Sequence, residues 1–426
     1  MLYNFKEVNN MKFELNLKNS LINEKVFEKK KHLKNFESIN TSLHSGKEEW
    51  TAWVDYPSKN IKKLDQIKTI AKDITKNGDV LVVLGIGGSY LGAFAGLTAL
   101  KKDKGIDVVF AGINFSNEEI ETVFNNYKNK NVYVNVISKS GTTTETMIAF
   151  EYALAFLKKK YGKEYKNHLI ITTDKEKGYL RDFVNKNNIT SLEVPDNMGG
   201  RFSVLSGVGL LPLACGGVDI DALMKGALTA EKDLASLSAS NPAYRYALTR
   251  YLLNKKGKSV EVLASFYARL SKIGAWWTQL FAESEGKQGK GLFVSSLNYS
   301  TDLHSVGQYV QQGTPLLFET FLSVNNVAGD RKISKVEATS PIKYLEGKTV
   351  EQVNLAAEKG TMDAHISAKV PVLQITIDKV DEMHIGYLFY FFELSCAISG
   401  KLLGINPFDQ PGVEDYKRNM KNNLKN

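Results

Sequence analysis

The chain has 426 residues, 43% hydrophobic and 24% charged, with a formal net charge of +9 at pH 7. That length exceeds one small core and predicts two domains of ordinary globular composition. The charge excess is lysine spread over helix surfaces, and no zinc-finger spacing, basic heptad or RNP-like aromatic motif accompanies it, which argues against nucleic acid and for steering of anionic substrates.

In chain order, residues 1–60 read as a polar, partly helical arm with helical pattern around 23–36, and Trp50 and Trp53 mark a segment packed on the main body. Apolar residues at 61, 64, 67, 70, 71 and 74 form a helical stripe that Asn77-Gly78 stops. The run 80–84 is apolar throughout, as in a strand buried on both faces of a parallel sheet. The alternation continues with helix 91–100, strand 107–111, a capping-box spacing at 116–119, strand 132–137, helix 144–160 and strand 168–172. Alanine- and leucine-rich helical sequence over 207–255 bridges to a second series, with strands at 260–266, 292–296, 316–322 and 370–377 and helix at 350–358. The predicted class is α/β, with two doubly wound parallel-sheet domains (61–218 and 219–400) between the arm (1–60) and a C-terminal motif and tail (401–426).

Cys215 and Cys396 lie far apart in apolar helical surroundings, and the six histidines show no metal-ligand spacing. Neither a disulfide framework nor a metal site is expected, which fits a reducing cytoplasm. The first twenty residues lack an apolar signal-peptide core. The most apolar helix, 385–403, contains Glu393, two glycines and two serines, so it reads as buried rather than membrane-spanning.

The stretch Ser138-Lys-Ser-Gly-Thr-Thr-Thr-Glu-Thr146 joins a strand to a helix, and six of its nine residues are Ser or Thr. One hydroxyl suffices for an N-cap. This many, with Gly141 bending the backbone toward a ligand and the helix dipole behind, predict a phosphate cradle. Gly85-Ile-Gly-Gly-Ser-Tyr-Leu-Gly92 occupies a similar strand–helix turn and offers Ser89 as a further donor, or else serves only turn geometry. As a dinucleotide fingerprint it fails, because Tyr90 stands at the third glycine position. Asn197-Met-Gly-Gly-Arg-Phe-Ser203 presents Arg201 from a glycine turn. Glu283-Ser-Glu-Gly-Lys-Gln-Gly-Lys290 reads as a loop with two carboxylates, of which Glu285 is expected to be solvated. Asp302-Leu-His-Ser305 and Asn406-Pro-Phe-Asp-Gln-Pro-Gly-Val-Glu414 complete the set, with Lys417 one turn on; His304 alone could be structural or catalytic.

In this order and spacing the motifs resemble the phosphoglucose isomerase family from about Trp50 to Lys417; the first two are shared with the wider sugar-isomerase domain superfamily. The resemblance implies a sugar-phosphate substrate and an aldose–ketose isomerisation through an enediol(ate), with no metal or other cofactor. By it, Gly88, Ser89, Ser138, Lys139 (through its backbone N–H), Ser140 and Thr143 hold the phosphate, while Gln279 and Gln410 line the sugar. Glu283 is the base, Arg201 stabilises the enediolate, and His304 and Lys417 open the ring. It further implies a homodimer in which His304 acts across the interface. Two other classes stay open on the residues alone. A sugar-phosphate sensor needs the hydroxyl loop but not Arg201, Glu283 and Lys417 together, and a nicotinamide-dependent dehydrogenase is weakened by Tyr90.

Overall fold

A computed structural model describes residues 11–100, 104–327 and 329–425; the first ten residues of the predicted arm lie outside the described residues. Strand β1 (Phe13–Asn19) comes first, and helix Lys30–Leu43 follows it. The first α/β series contains β2 (Val80–Leu84), β3 (Asp107–Ala111), β4 (Val132–Ile137), β5 (Leu169–Thr173) and β6 (Thr190–Glu193). The second contains β7 (Val260–Ser265), β8 (Phe293–Asn298), β9 (Leu317–Val324) and β10 (Val372–Ile377). Among the described residues these strands form two five-stranded sheets, ordered β3-β2-β4-β5-β6 and β1-β10-β9-β7-β8. Every neighbouring pair is parallel except β1 against β10. The α/β class with two parallel sheets is the one the alternation predicts.

Strands β2, β3 and β4 have the predicted bounds, because each is an apolar or β-branched run ended by glycine, asparagine or serine chemistry. All five residues of β2 and all six of β4 are buried, as central parallel strands covered on both faces must be. Two strands were not anticipated. In β1 the apolar residues Phe13, Leu15 and Leu17 alternate with polar ones, a period of two that the polar composition around it obscures. It pairs from Phe13↔Ile377 to Asn19↔Val372 and covers an edge of the second sheet. The other, β6, is a four-residue edge strand with one buried side chain, too short to carry a pattern.

The helix in the arm starts later than its pattern suggests. Asn23 caps a one-turn 3-10 helix, Glu24–Val26, and the α-helix begins only at Lys30. The region 207–255 is three helices, Gly207–Cys215, Ile220–Asp233 and Pro242–Lys255. The first packs on the first α/β series, and the second and third pack with the long helix Glu382–Leu402, whose sides are buried all round. Two glycines let this helix approach Ile220–Asp233 closely: a Cβ on Gly226 would lie 1.9 Å from the Met383 carbonyl oxygen, and one on Gly386 1.9 Å from that of Leu223. The resulting core runs continuously from β2 to β10, so the two sheets share one apolar interior. Cys215 and Cys396 are both buried and free. Among the described residues no helix is long and apolar enough to cross a membrane.

Candidate active site

Ligands of open parallel sheets bind beyond the carboxyl ends of the strands, where neighbouring crossovers diverge. In the first sheet β2 and β4 are neighbours, and their carboxyl ends carry the glycine turn and the hydroxyl stretch. Beyond β4, Ser138 is buried; its Oγ accepts from the Gly141 N–H at 3.1 Å and lies 3.3 Å from Thr143 Oγ1. Gly141 has φ +63°, the left-handed turn that curls the loop over the helix start. Ser140 Oγ accepts from both the N–H and the hydroxyl of Thr142. Thr143 is the N-cap of helix Thr144–Tyr161, yet its side chain makes no capping bond. The hydroxyls thus close on one another and leave the dipole end of the helix facing outward.

The Lys139 side chain leaves this cradle. Its Nζ donates to the Pro195 and Met198 carbonyls at 3.1 and 3.4 Å and lies 4.8 Å from the Trp50 ring centre. Burial lowers its pKa, while Asp196 and Asp174 oppose the shift. Only its backbone remains to serve an anion, as the resemblance implies.

Beyond β2, Gly87–Ser89 form a single 3-10 turn. A Cβ on Gly88 would lie 2.2 Å from the Gly200 carbonyl carbon, so this turn and the Gly199-Gly200-Arg201 turn touch backbone to backbone. Gly87 has φ +58°, and a Cβ there would lie 2.8 Å from Gln279 Nε2. The glycines therefore bring three chain segments together, which accounts for them without a dinucleotide.

Arg201 is almost wholly buried. Its Nε donates to Ser284 Oγ at 2.7 Å, Nη1 to Gln410 Oε1 at 3.0 Å, and Nη2 to the Pro407 and Asp409 carbonyls at 2.6 and 3.1 Å. Nη1 also lies 3.9 Å from Glu283 Oε2. Burial lowers the Arg201 pKa, and the Glu283 charge is the chief effect opposing it. A guanidinium remains protonated under such a shift. Glu283 accepts from Gln279 Nε2 at 3.1 Å and keeps 27% of its side chain exposed. Among the described residues the buried Gln279 Oε1 has no hydrogen-bond partner, which leaves it free to accept. The segment 406–410 is held in addition by Lys287, whose Nζ donates to the Asn406 carbonyl at 2.6 Å and pairs with Asp409 at 2.7 Å.

The structure corrects the expected loop. Glu283 and Glu285 sit in the last turn of helix Ser271–Glu285, not in a loop. Glu285 is not solvated: it is fully buried and paired with Arg250 at 2.5 Å. Residues 276–281 alternate around the helix and bury Trp276, Trp277, Leu280 and Phe281, so the pattern of the helix extends into the motif.

Of the predicted residues, Arg201, Glu283, Gln279, Gln410 and Gly88 meet directly or through adjoining turns. Ser89 joins them through Gly85, where a Cβ would lie 2.8 Å from Ser89 Cβ and 3.3 Å from the carbonyl oxygen of Ile137 at the end of β4. Lys417, on the terminal helix Glu414–Asn423, pairs with Glu414 at 2.7 Å. That hydrogen bond raises its pKa, and the buried Glu145 carboxylate at the cradle helix adds to the effect. His304 is exposed at the end of the turn Thr301–His304 and, among the described residues, has no hydrogen bond or ion pair. Sequence reading missed Ser284, Gly87, Lys287 and the two backbone carbonyls on Arg201. Ser284 and Lys287 lie inside a recognised motif, but their partners are set only by folding.

The phosphoglucose isomerase family model matches residues 58–426. This chain belongs to the phosphoglucose isomerase family. A glucose-6-phosphate isomerase of Clostridioides difficile is 48% identical over 382 residues, covering 86% of this chain and 85% of that protein. Among solved structures, a hypothetical protein of Thermus thermophilus superposes with a TM-score of 0.90 at 29% identity, covering 97% of this chain and all of that one. A glucose-6-phosphate isomerase of Chlamydia trachomatis superposes at 0.78 over 97% of this chain and 88% of its own; at 19% identity it attests the fold. Membership of this isomerase family over residues 58–426 sets aside both the sensor and the nicotinamide-dependent dehydrogenase.

Proposed function

We propose that the chain is a glucose-6-phosphate isomerase, a metal-independent aldose–ketose isomerase interconverting glucose 6-phosphate and fructose 6-phosphate. The observation that carries this is a buried guanidinium 3.9 Å from a carboxylate that keeps 27% of its side chain exposed.

An α-hydroxy aldehyde is a weak carbon acid, so a base and an aimed cation must act together. In our reading Ser89, Ser138, Ser140 and Thr143, with the Gly88 and Lys139 backbone N–H groups, hold the phosphate; Gln279 and Gln410 hold sugar hydroxyls. The phosphate is remote from C1 and C2, so its binding energy orients the reacting end. His304 and Lys417 move the protons of ring opening. Glu283 takes the C2 proton of the open chain; the electron pair becomes the C1–C2 double bond and the negative charge collects on O1, where Arg201 offsets it. Returning the proton to C1, as the O2 proton passes to O1, leaves the ketose. A positioned base contributes ~10²–10⁴-fold and an aimed donor ~10²–10³-fold.

His304 acts in our reading as His304 of the partner subunit in a homodimer, which fits an exposed imidazole that, among the described residues, makes no side-chain hydrogen bond or ion pair. A cytoplasmic location fits the two free cysteines. The test of the activity is a coupled assay with fructose 6-phosphate supplied, a chelator present and no nicotinamide in the isomerase step. Glucose 6-phosphate must appear; its absence refutes the proposal. For the shared site, His304→Ala and Glu283→Ala chains are unfolded together and refolded. Activity recovered above both parents supports the assignment across the interface, and activity no better than either parent refutes it.

A further inference from the structure

Three consecutive side chains at the end of helix Ser271–Glu285 meet three different partners. Glu283 faces Gln279 and Arg201, and among the described residues its one hydrogen bond is from Gln279. Ser284 Oγ accepts from Arg201 Nε. Glu285 turns into the core and takes two bonds from Arg250, Nη1 to Oε1 at 2.5 Å and Nη2 to Oε2 at 3.1 Å. The base carboxylate is thus weakly held by its own contacts but carried on a turn that is strongly held.

Arg250 has no exposed surface. It projects from helix Pro242–Lys255, lies 4.1 Å over the Phe281 ring, and donates from Nη1 to Ser399 Oγ at 2.7 Å. Its Nε donates to Glu261 Oε2 at 2.5 Å, and Glu261 is itself fixed on β7 by the hydroxyls of Tyr246 and Thr320 at 2.6 and 2.7 Å. Burial alone would lower the Arg250 pKa, but Glu261 and Glu285 outweigh it, so the guanidinium stays charged. A bidentate guanidinium–carboxylate pair sets both distance and angle. With Ser284 held from one side and Glu285 from the other, the last helical turn cannot rotate about its axis without breaking one of them.

We infer that Arg250, acting through Glu285, is a positioning residue for Glu283: it locks the final turn of this helix to helix Pro242–Lys255, so that the base meets Arg201 and the sugar in one orientation. This rests on the reading of Glu283 as the base. It differs from a plain buried ion pair in what it asks of the two carboxylates on Arg250. Both support the core, but Glu285 alone belongs to the turn that carries Glu283.

The experiment compares Glu285→Gln with Glu261→Gln, reading melting temperature, kcat, KM and binding of inorganic phosphate. Both variants lower the melting temperature. Glu285→Gln lowers kcat by ~10–100-fold, the scale of a misplacement near 1 Å, with KM and phosphate binding within about twofold. Glu261→Gln keeps kcat within about twofold of the parent. Unchanged kcat in both, an equal fall in both, or a rise in KM in place of the fall in kcat overturns the inference. Should Glu285→Gln not fold, Arg250→Lys, which keeps the charge and loses the fork, gives the same reading against Glu261→Gln. Glu283→Gln is measured alongside. Turnover retained there refutes the base itself, whereas turnover lost there with unchanged kcat in Glu285→Gln refutes only the role of Arg250.

Discussion

The two sheets share the order of four strands, β3-β2-β4-β5 matching β8-β7-β9-β10, and differ at the point where a ligand would bind. In the first, β2 and β4 end in a glycine turn and a hydroxyl loop. In the second, β7 and β9 hold the corresponding central positions. There the turn after β7 is Ala268–Leu270, with no glycine in it. Beyond β9 the space is taken by side chains: the Tyr267 hydroxyl lies 3.1 Å from the Val324 carbonyl and 3.0 Å from Glu351, and Ser323 donates to the buried Glu358. The two crossover helices also differ. Thr143 leaves the start of Thr144–Tyr161 without a side-chain cap, whereas Thr349 and Gln352 close that of Val350–Ser367 with a capping box and Asp330 accepts from the Glu351 N–H. One architecture therefore leaves a helix end open where hydroxyls and glycines line it, the proposed anion site, and gives a filled joint where carboxylates and a tyrosine close it.

The largest effect should come from placing a negative charge at each point. Thr143→Asp sets a carboxylate beside the incoming phosphate and should raise KM by ~10²–10³-fold, since a like-charge juxtaposition costs several kcal/mol. Asn325→Asp, beyond β9, should leave KM unchanged. Steady-state kinetics on the two variants checks both, and a comparable rise in KM from Asn325→Asp would break the contrast. Next comes the glycine turn. Gly88→Ala puts a methyl against the Gly200 backbone, neither of which can yield as a side chain could, and should cut kcat/KM by ~10²-fold. Ala268→Gly, in the counterpart turn, should cost under about 1 kcal/mol of stability and no activity; denaturant melts and assays read both.

Much of this contrast was legible in the residues themselves. The hydroxyl density of 138–146 and the Gly-Gly turns are the basis of the proposed anion site before any contact is known, because their chemistry is local. Buried parallel strands such as β2 and β4 announce themselves as unbroken apolar runs. What escaped is set by distant partners. Nothing near Glu285 in the chain tells that Arg250 awaits it in the core, nor that Ser284 and the carbonyls of Pro407 and Asp409 converge on Arg201. The short β6 and the polar-flanked β1 gain their strand character from pairing rather than from pattern. His304 and Lys417 were reached through family resemblance, and among the described residues neither side chain bonds to Arg201 or Glu283.

The smallest expected effect is on stability alone. Burial pushes the Glu358 carboxyl up to about 6 from an ordinary 4.5, with the Ser323 hydroxyl partly opposing. The folded state therefore binds this proton more tightly than the unfolded one. Its contribution is fully present below pH 4.5 and is lost as pH rises through about 6, a difference of about 2 kcal/mol. Glu358→Gln stays neutral and keeps an acceptor for Ser323, so it should be more stable than the parent at pH 7 and lose that advantage below pH 4.5. Urea melts across this range check the sign, and kcat should not move. A change in kcat would mean that the second joint takes part in catalysis after all.

The division of labour between a cradle that holds and a pair that reacts is tested most directly by Glu283→Gln. A labelled sugar phosphate is titrated into the variant, and turnover is followed in the coupled assay. Binding should stay within about threefold of the parent and turnover should fall by ~10²–10⁴-fold, the worth of a positioned base. Parent-like turnover, or loss of binding together with turnover, would contradict this division.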